Sequence, residues 1–229
     1  MDTASTFHVA LVGDEDIPKC FQILSESFGH DAPFVDIYFP NHDTLIGQVQ
    51  GSKRLATWRN TSKNSTFLKA VIRINEKNKV DEDSIIGFAI WTHMKDPPPV
   101  DIEKAENVEE VWPNEQDRKF MAQLWKDYVK PRTQAVKDSG EKGVNVLELL
   151  AVHPDHQRHG AGRALVEWGT RAADRMAIKA VVEGTPVGRR LYEKCGLHVE
   201  IEEMLFDTAE EFKGRKKPKL LFMTREPET

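Results

Sequence analysis

One run in the middle of the chain leaves little freedom in how it can fold. It reads Leu147-Glu148-Leu149-Leu150-Ala151-Val152-His153-Pro154-Asp155-His156-Gln157-Arg158-His159-Gly160-Ala161-Gly162-Arg163-Ala164-Leu165. An apolar, strand-like segment passes through a proline link into a turn with two glycines, and an amphipathic helix follows. Leu165, Trp168, Ala172, Ala173 and Met176 recur at helical spacing, while Glu167, Arg171, Asp174 and Arg175 fall largely on the other side of the wheel. Glycine lets the backbone come close to a ligand, and the first turn of a helix offers unpaired amides backed by the helix dipole. The combination predicts an anion-binding helix start.

Two familiar phosphate motifs are excluded by the letters. No Gly-Lys-Ser/Thr follows the turn, and Leu165 stands where a dinucleotide fingerprint requires its third glycine. The segment Gln157-Arg158-His159-Gly160-Ala161-Gly162 instead resembles the Q/R-x-x-G-x-G/A signature of the GNAT superfamily of acetyl-coenzyme A dependent N-acetyltransferases. About thirty residues on, Leu191-Tyr192-Glu193-Lys194-Cys195-Gly196-Leu197 is similar to that family's second landmark, a tyrosine-bearing helix ending in Gly-Phe, here with leucine for phenylalanine. The resemblance covers roughly 144–199; the first half of the chain carries no diagnostic motif.

The resemblance implies a fold and a cofactor. The fold is an α/β (α+β) domain spanning 1–229 with an inserted loop and helix at about 95–143. Its mixed, mostly antiparallel sheet of about seven strands is flanked by helices and splayed between the fourth and fifth strands. The cofactor is acetyl-CoA as acyl donor, with no metal. Its pyrophosphate would rest on the amides of Arg158, His159, Gly160, Ala161, Gly162 and Arg163, with Gln157 at the start of the signature. Splaying would leave backbone groups near Leu150, Ala151 and Val152 free for the pantetheine arm and the thioester carbonyl. Tyr192 would protonate the leaving thiolate.

Acyl transfer to an amine also needs a base. Glu148 is the only charge in an apolar strand, where desolvation raises a carboxyl pKa, and Glu183 ends the strand expected to face it. Either carboxylate serves equally as a structural partner. His153, His156 and His159 with Asp155 invite a zinc reading, but their spacing is not that of a zinc signature and the turn is accounted for without metal. His153 acting through water is a further candidate base. The expected reaction is direct acetyl transfer to the primary amine of a small molecule. A protein or peptide acceptor, or an acyl-CoA-binding module without catalysis, are the alternatives.

Composition narrows the class. With 39% hydrophobic and 30% charged residues the chain can build one sizeable core, and a net charge of −5 argues against a nucleic-acid partner. No apolar run suits a membrane span and the start lacks a signal peptide's pattern, so a cytoplasmic protein, monomer or homodimer, is expected. Cys20 and Cys195 fall on apolar faces and read as reduced core residues.

Elsewhere the pattern predicts a strand at 7–12 and a helix at 16–28. A second helix follows, starting near Asn41 and Asp43, with Leu45, Ile46 and Val49 on its inward face, and Gly51 and the polar run Asn60 to Asn64 close the region. A half-buried strand at 67–74 and a buried one at 84–94 flank a polar turn at 75–83. A proline-rich, acidic stretch at 96–114 precedes a helix at 115–129 that Pro131 ends or kinks; Phe120, Met121, Leu124, Trp125, Tyr128 and Val129 stripe it, as expected of a helix packed on the sheet edge, with an acceptor-site lid or a dimer surface as other readings. After the glycine-turn helix come strands at 178–183 and 199–206, with a helix at 187–195 between them, and a closing strand at 220–224. Lys213-Gly214-Arg215-Lys216-Lys217-Pro218-Lys219 reads as a solvated hairpin loop, with a nuclear-import patch or a contact for coenzyme A phosphates as other readings. Phe34, Tyr38, Phe39, Trp58 and Trp125 are either core or the wall of an aromatic acceptor pocket.

Overall fold

Apolar side chains that alternate along short segments force those segments to pair, and the pairing here yields one seven-stranded sheet. The computed structural model describes residues 7–30, 32–72, 84–104 and 108–228. The strands are β1 (Phe7–Leu11), β2 (Ser65–Ile72), β3 (Ser84–Met94), β4 (Val144–Val152), β5 (Lys179–Gly184), β6 (His198–Ile201) and β7 (Leu221–Arg225), in spatial order β1-β2-β3-β4-β5-β7-β6. Every neighbouring pair is antiparallel except β4 with β5. The mostly antiparallel sheet expected from the sequence is present. The turn at 75–83, with Arg73 and Ile74 of the predicted strand, lies outside the described residues.

Eight helices accompany the sheet among the described residues: α1 (Ile17–Phe28), α2 (Pro33–Tyr38), α3 (Leu45–Thr61), α4 (Val108–Val111), α5 (Glu115–Tyr128), α6 (Lys130–Ser139), α7 (Ala161–Met176) and α8 (Arg189–Lys194). On one side of the sheet α7 buries Leu165, Val166 and Ala173 with Leu68, Ala89 and Trp91. The Trp91 indole donates to the Leu165 carbonyl at 3.1 Å, so this buried polar group is satisfied. On the other side α1 packs Phe21, Ile23 and Leu24 against Phe67, Phe88 and Ile90. A third cluster joins α5 and α6 to the far end of the sheet through Phe120, Leu124, Val136, Val146 and Phe222. Cys20 and Cys195 are free and buried, as core residues should be.

Several expectations need correction. Leu45, Ile46 and Val49 do not face the core: they are 88%, 71% and 57% exposed, and the inward face of α3 carries Gly47, Gly51 and Leu55. The helix runs straight through Gly51, where a side chain would collide with Phe21 of α1, and ends at Thr61, within the polar run expected to close the region. Its N-cap is Thr44, whose hydroxyl accepts from the Gly47 amide at 3.0 Å, rather than Asn41 or Asp43. α5 ends at Tyr128, ahead of Pro131 as expected, and a new helix starts at once. Pro131 sits in the first turn of α6, where its missing N–H costs no hydrogen bond. The strand expected at 199–206 ends at Ile201; Met204 stays tied through its amide to the Leu220 carbonyl at 2.8 Å.

The basic loop before β7 is exposed at Lys213, Gly214, Lys216 and Lys219, as a solvated loop should be, and two of its side chains anchor it. Lys217 Nζ donates to the Phe206 carbonyl at 2.7 Å, and the Arg215 guanidinium lies 4.1 Å from the centre of the Phe120 ring.

Candidate active site

The pairing of β4 with β5 runs only from Val144↔Lys179 to Leu147↔Val182 and then stops. β4 continues to Val152 along β3, and β5 continues to Gly184 along β7, so the sheet opens like a V beyond Leu147. The expected splay is present. Successive residues of a strand turn their backbone groups to alternate sides. The His153 amide bonds the Ile86 carbonyl on the β3 side at 2.8 Å, so Leu150 and Val152 present theirs to the opening. The Val152 carbonyl is nevertheless not free, as the sequence suggested it would be: it accepts from Ser27 Oγ at 2.7 Å and from Gln157 Nε2 at 3.1 Å. These bonds fix the bend between β4 and the glycine turn.

At the mouth of the V stands the start of α7. Gly160 caps the helix with φ 96°, a left-handed conformation that favours glycine, and Arg158 also has a positive φ, 64°. The first intrahelical bond there runs from the Ala164 amide to the Gly160 carbonyl at 3.0 Å, which leaves the amides of Ala161, Gly162 and Arg163 aimed outward. Arg158, Arg163, Arg190 and Lys194 line the surrounding wall. Dipole, amides and cations all suit an anion.

The opening leads into a cavity of about 1560 Å³. Leu150, Ala151, Val152, Gln157, Arg158, Gly160, Gly162 and Arg163 line it, as do Tyr192, Glu148 and Glu183; His159 and Ala161 do not. At its inner end the sheet opening meets α6. There Arg132, 1% exposed, donates through Nε and Nη2 to both oxygens of Glu183 at 2.9 and 2.5 Å, through Nη1 to Glu148 Oε2 at 2.8 Å, and through Nη2 to the Tyr128 hydroxyl at 2.9 Å. Burial pushes the Glu183 carboxyl above its ordinary range, with Arg132 opposing. Burial pulls the Arg132 pKa down, but Glu148 and Glu183 outweigh it and hold the guanidinium charged.

The two carboxylates therefore have different surroundings. Glu183 is engaged at both oxygens and its side chain is fully covered. Glu148 gives one oxygen to Arg132, and its Oε1 takes no hydrogen bond among the described residues. Tyr192 is buried, and burial raises its phenol pKa. Among the described residues nothing hydrogen-bonds its hydroxyl. A phenol with a raised pKa keeps its proton at neutral pH until a stronger base arrives.

Opposite Glu148 stand rings. Phe34 lies 4.5 Å from Tyr128 between ring centres, Trp125 lies 5.6 Å from Tyr128, and Phe34 stacks on Tyr38 at 6.5 Å. All four line the cavity. Trp125 is thus on the wall of the cavity as well as on the packed helix expected at the sheet edge. Lys216, Lys217 and Lys219 reach the same cavity from the loop before β7.

The sequence model of a family described as Acetyltransferase (GNAT) domain matches residues 120–198, from α5 through the glycine turn to the start of β6. Over that stretch the chain resembles the GNAT acetyltransferases. Similar solved structures carry the same fold. Arylalkylamine N-acetyltransferase 2 from Aedes aegypti is 15% identical over 97% of this chain and 100% of its own, with a TM-score of 0.62. The structure described as histone acetyltransferase HPA2 and related acetyltransferase from Corynebacterium glutamicum is 16% identical over 98% of both chains, TM-score 0.61. The paia N-acetyltransferase of Thermoplasma acidophilum, solved in complex with coenzyme A, is 13% identical over 96% of this chain and 99% of its own, TM-score 0.51. No curated protein sequence matches.

Around this cavity, sequence reasoning missed Arg132 and the short helix α2. Arg132 had one available signal: a lone carboxylate in an apolar strand, Glu148, requires a cation partner. Nothing in the letters said which cation. Of the turn histidines, His153 pairs through Nε2 with Glu26 Oε2 at 3.0 Å, and its Nδ1 accepts from the Asp155 amide at 3.2 Å.

Proposed function

We propose that the chain works as one N-acetyltransferase domain that transfers the acetyl group of acetyl-CoA directly to the primary amine of a small molecule. The observation that carries this reading is the junction of two half-sites in one cavity. An anion-binding helix start borders the opened strand at one end, and an aromatic wall with a carboxylate borders it at the other. Acetyl-CoA, when bound, supplies the acyl group as an activated thioester. The amides of Ala161, Gly162 and Arg163, with Arg158 nearby, hold its pyrophosphate. Backbone groups of β4 at Leu150 face the pantetheine arm and polarise the thioester carbonyl.

Glu148 takes the proton of the incoming ammonium, directly or through water, because its free oxygen faces the cavity. Glu183 does not compete for that task. Held at both oxygens, it fixes Arg132, which in turn orients Glu148. Tyr192 gives its proton to the departing thiolate. Phe34, Tyr38, Trp125 and Tyr128 favour an acceptor whose amine is carried on an aromatic or extended apolar group, since flat rings offer area and a cation–π face. The similar fold of an arylalkylamine acetyltransferase agrees with that preference.

The test is thiol release from acetyl-CoA across aryl-alkylamines, polyamines, amino sugars, amino acids and peptide N-termini. Highest kcat/KM is expected for an aryl-alkylamine. With that acceptor, Glu148→Gln should lose most at neutral pH and recover toward the amine's own pKa, where the acceptor is already neutral. Preference for peptide N-termini would move the acceptor class to proteins, and a folded chain that binds acetyl-CoA but turns over none of these amines would leave only a binding module.

A further inference from the structure

Behind the aromatic wall, the segment that joins α1 to α3 gathers His30, Asp36 and His42, whose nearest ring nitrogens and carboxylate oxygen all lie within 4.8 Å of one another. His30 Nδ1 is 2.7 Å from Asp36 Oδ1, and His42 Nε2 is 3.2 Å from the same oxygen. The other nitrogen of each ring has its own partner. His30 Nε2 lies 3.3 Å from Asp43 Oδ2, and His42 Nδ1 lies 2.8 Å from Ser25 Oγ.

Proton accounting makes this arrangement unusual. The Ser25 hydroxyl has one proton, and it donates to the His42 carbonyl at 3.1 Å. With that proton on the carbonyl rather than on His42 Nδ1, 2.8 Å away, Nδ1 carries the ring proton and Nε2 turns a lone pair toward the Asp36 carboxylate; with it on Nδ1, the Nε2–H donates to Asp36 instead. That ring is fully buried. A neutral His30 meets the same difficulty, since it has one N–H for two carboxylates. In the first tautomer, with the His30 proton on Nε2, three acceptors converge on one point that a metal ion can occupy.

We propose that His30 Nδ1, Asp36 Oδ1 and His42 Nε2 form a site for one divalent transition-metal ion of the zinc class, with water as fourth ligand. Two imidazoles and a carboxylate suit such an ion and not magnesium or calcium, which prefer oxygen ligands throughout. With zinc bonds of about 2.0–2.1 Å, tetrahedral ligands stand roughly 3.3 Å apart; the His42–Asp36 separation of 3.2 Å fits, and the His30–Asp36 pair, at 2.7 Å, must open to admit the ion. Both rings then keep the outer contact that metal-bound histidines need: His30 donates from Nε2 to Asp43, and His42 from Nδ1 to Ser25. His42 anchors the site from inside the fold, while the His30 ring, 65% exposed, leaves a route from solvent.

The ligands come from the end of α1, from α2 and from the turn before α3, so an ion here pins α2. Phe34 and Tyr38 of α2 belong to the aromatic wall. The ion is a clamp on the acceptor side of the cavity and takes no part in bond making. It departs from the metal-free expectation of the sequence, which weighed only the histidines of the turn after β4.

The test uses the full chain without an affinity tag, stripped with a chelator and titrated with Zn²⁺ alone and with Co²⁺ alone. The expected result is one ion per chain, a tetrahedral Co²⁺ absorption spectrum and a raised melting temperature. His30→Ala and Asp36→Asn should abolish stoichiometric binding, and Asp43→Asn should weaken it about 10- to 100-fold through the lost outer contact. His153→Ala should leave binding unchanged. A folded chain that takes up no stoichiometric metal would overturn the proposal. So would binding that survives both His30→Ala and Asp36→Asn, or that is lost in His153→Ala.

Discussion

Replacing Arg132 with methionine tests whether the buried cation holds the two strands' carboxylates in place. The perturbation keeps the length of the side chain and removes its charge and its four hydrogen bonds. Glu148 retains some access to water, but the Glu183 side chain is fully covered and would be left as an unpaired charge. Breaking such a pair by removing one partner costs about 3–5 kcal/mol, against a total stability of about 5–15 kcal/mol. For a chain of this size each kcal/mol moves Tm by about 2–4 °C, so a fall of roughly 6–20 °C is expected.

The loss should also depend on pH in one direction. The folded pKa of Glu183 already lies above its ordinary value through burial, with Arg132 opposing; without Arg132 it rises further. The unfolded chain releases this proton near the ordinary value, about 4.3, and the folded chain later. Between those two values the unfolded state binds fewer protons, so stability declines as pH rises. At about 1.4 kcal/mol per pH unit, a 3–5 kcal/mol loss spans roughly two to four pH units above that ordinary value. Urea unfolding at about pH 5 and about pH 8 should therefore show a much larger gap between variant and parent at the higher pH. Adding Glu183→Leu to Arg132→Met should recover at least half of the loss, because the orphan charge is gone. A gap that is equal at both pH values, or a double variant no more stable than the single, would refute the reasoning.

Three further outcomes are expected. Tyr192→Phe keeps the ring among Leu191 and Cys195, so Tm should change little while kcat falls by about 10²- to 10⁴-fold; wild-type turnover would return the tyrosine to a packing role. Gly162→Asp sets a carboxylate at the α7 start, where the new Cβ would lie 3.3 Å from Leu191 Cδ2, a mobile side-chain end. The variant should fold yet lose the rise in Tm that acetyl-CoA gives the parent, and a retained rise would rule out this anion cradle. Gly51→Ala drives a methyl into the Phe21 ring and should cost about 1–3 kcal/mol in chemical unfolding; a neutral effect would mean that α1 and α3 are packed less closely than described.

What the letters determined by themselves is local. Ser84–Met94 is so apolar and β-branched that a central strand was the only economical reading, and it forms as expected. Gly160 and Gly162 between an apolar strand and an amphipathic helix specify the turn that opens α7, because backbone geometry there depends on a few adjacent residues. The order of strands and the splay were legible only through resemblance to a family, since no local pattern says that β4 leaves β5 after Leu147. Tertiary structure decided the rest. Leu45, Ile46 and Val49 look like an inward face, yet the approach of Phe21 to Gly51 turns α3 so that its smallest residues face in. Arg132 and Glu183 are 51 residues apart, and His30 and His42 are separated by a helix that the sequence reading did not see. Such pairs are set by how helices dock on the sheet, and the energy that selects them is the burial of a charge or a ring, which exists only once the chain has closed around it.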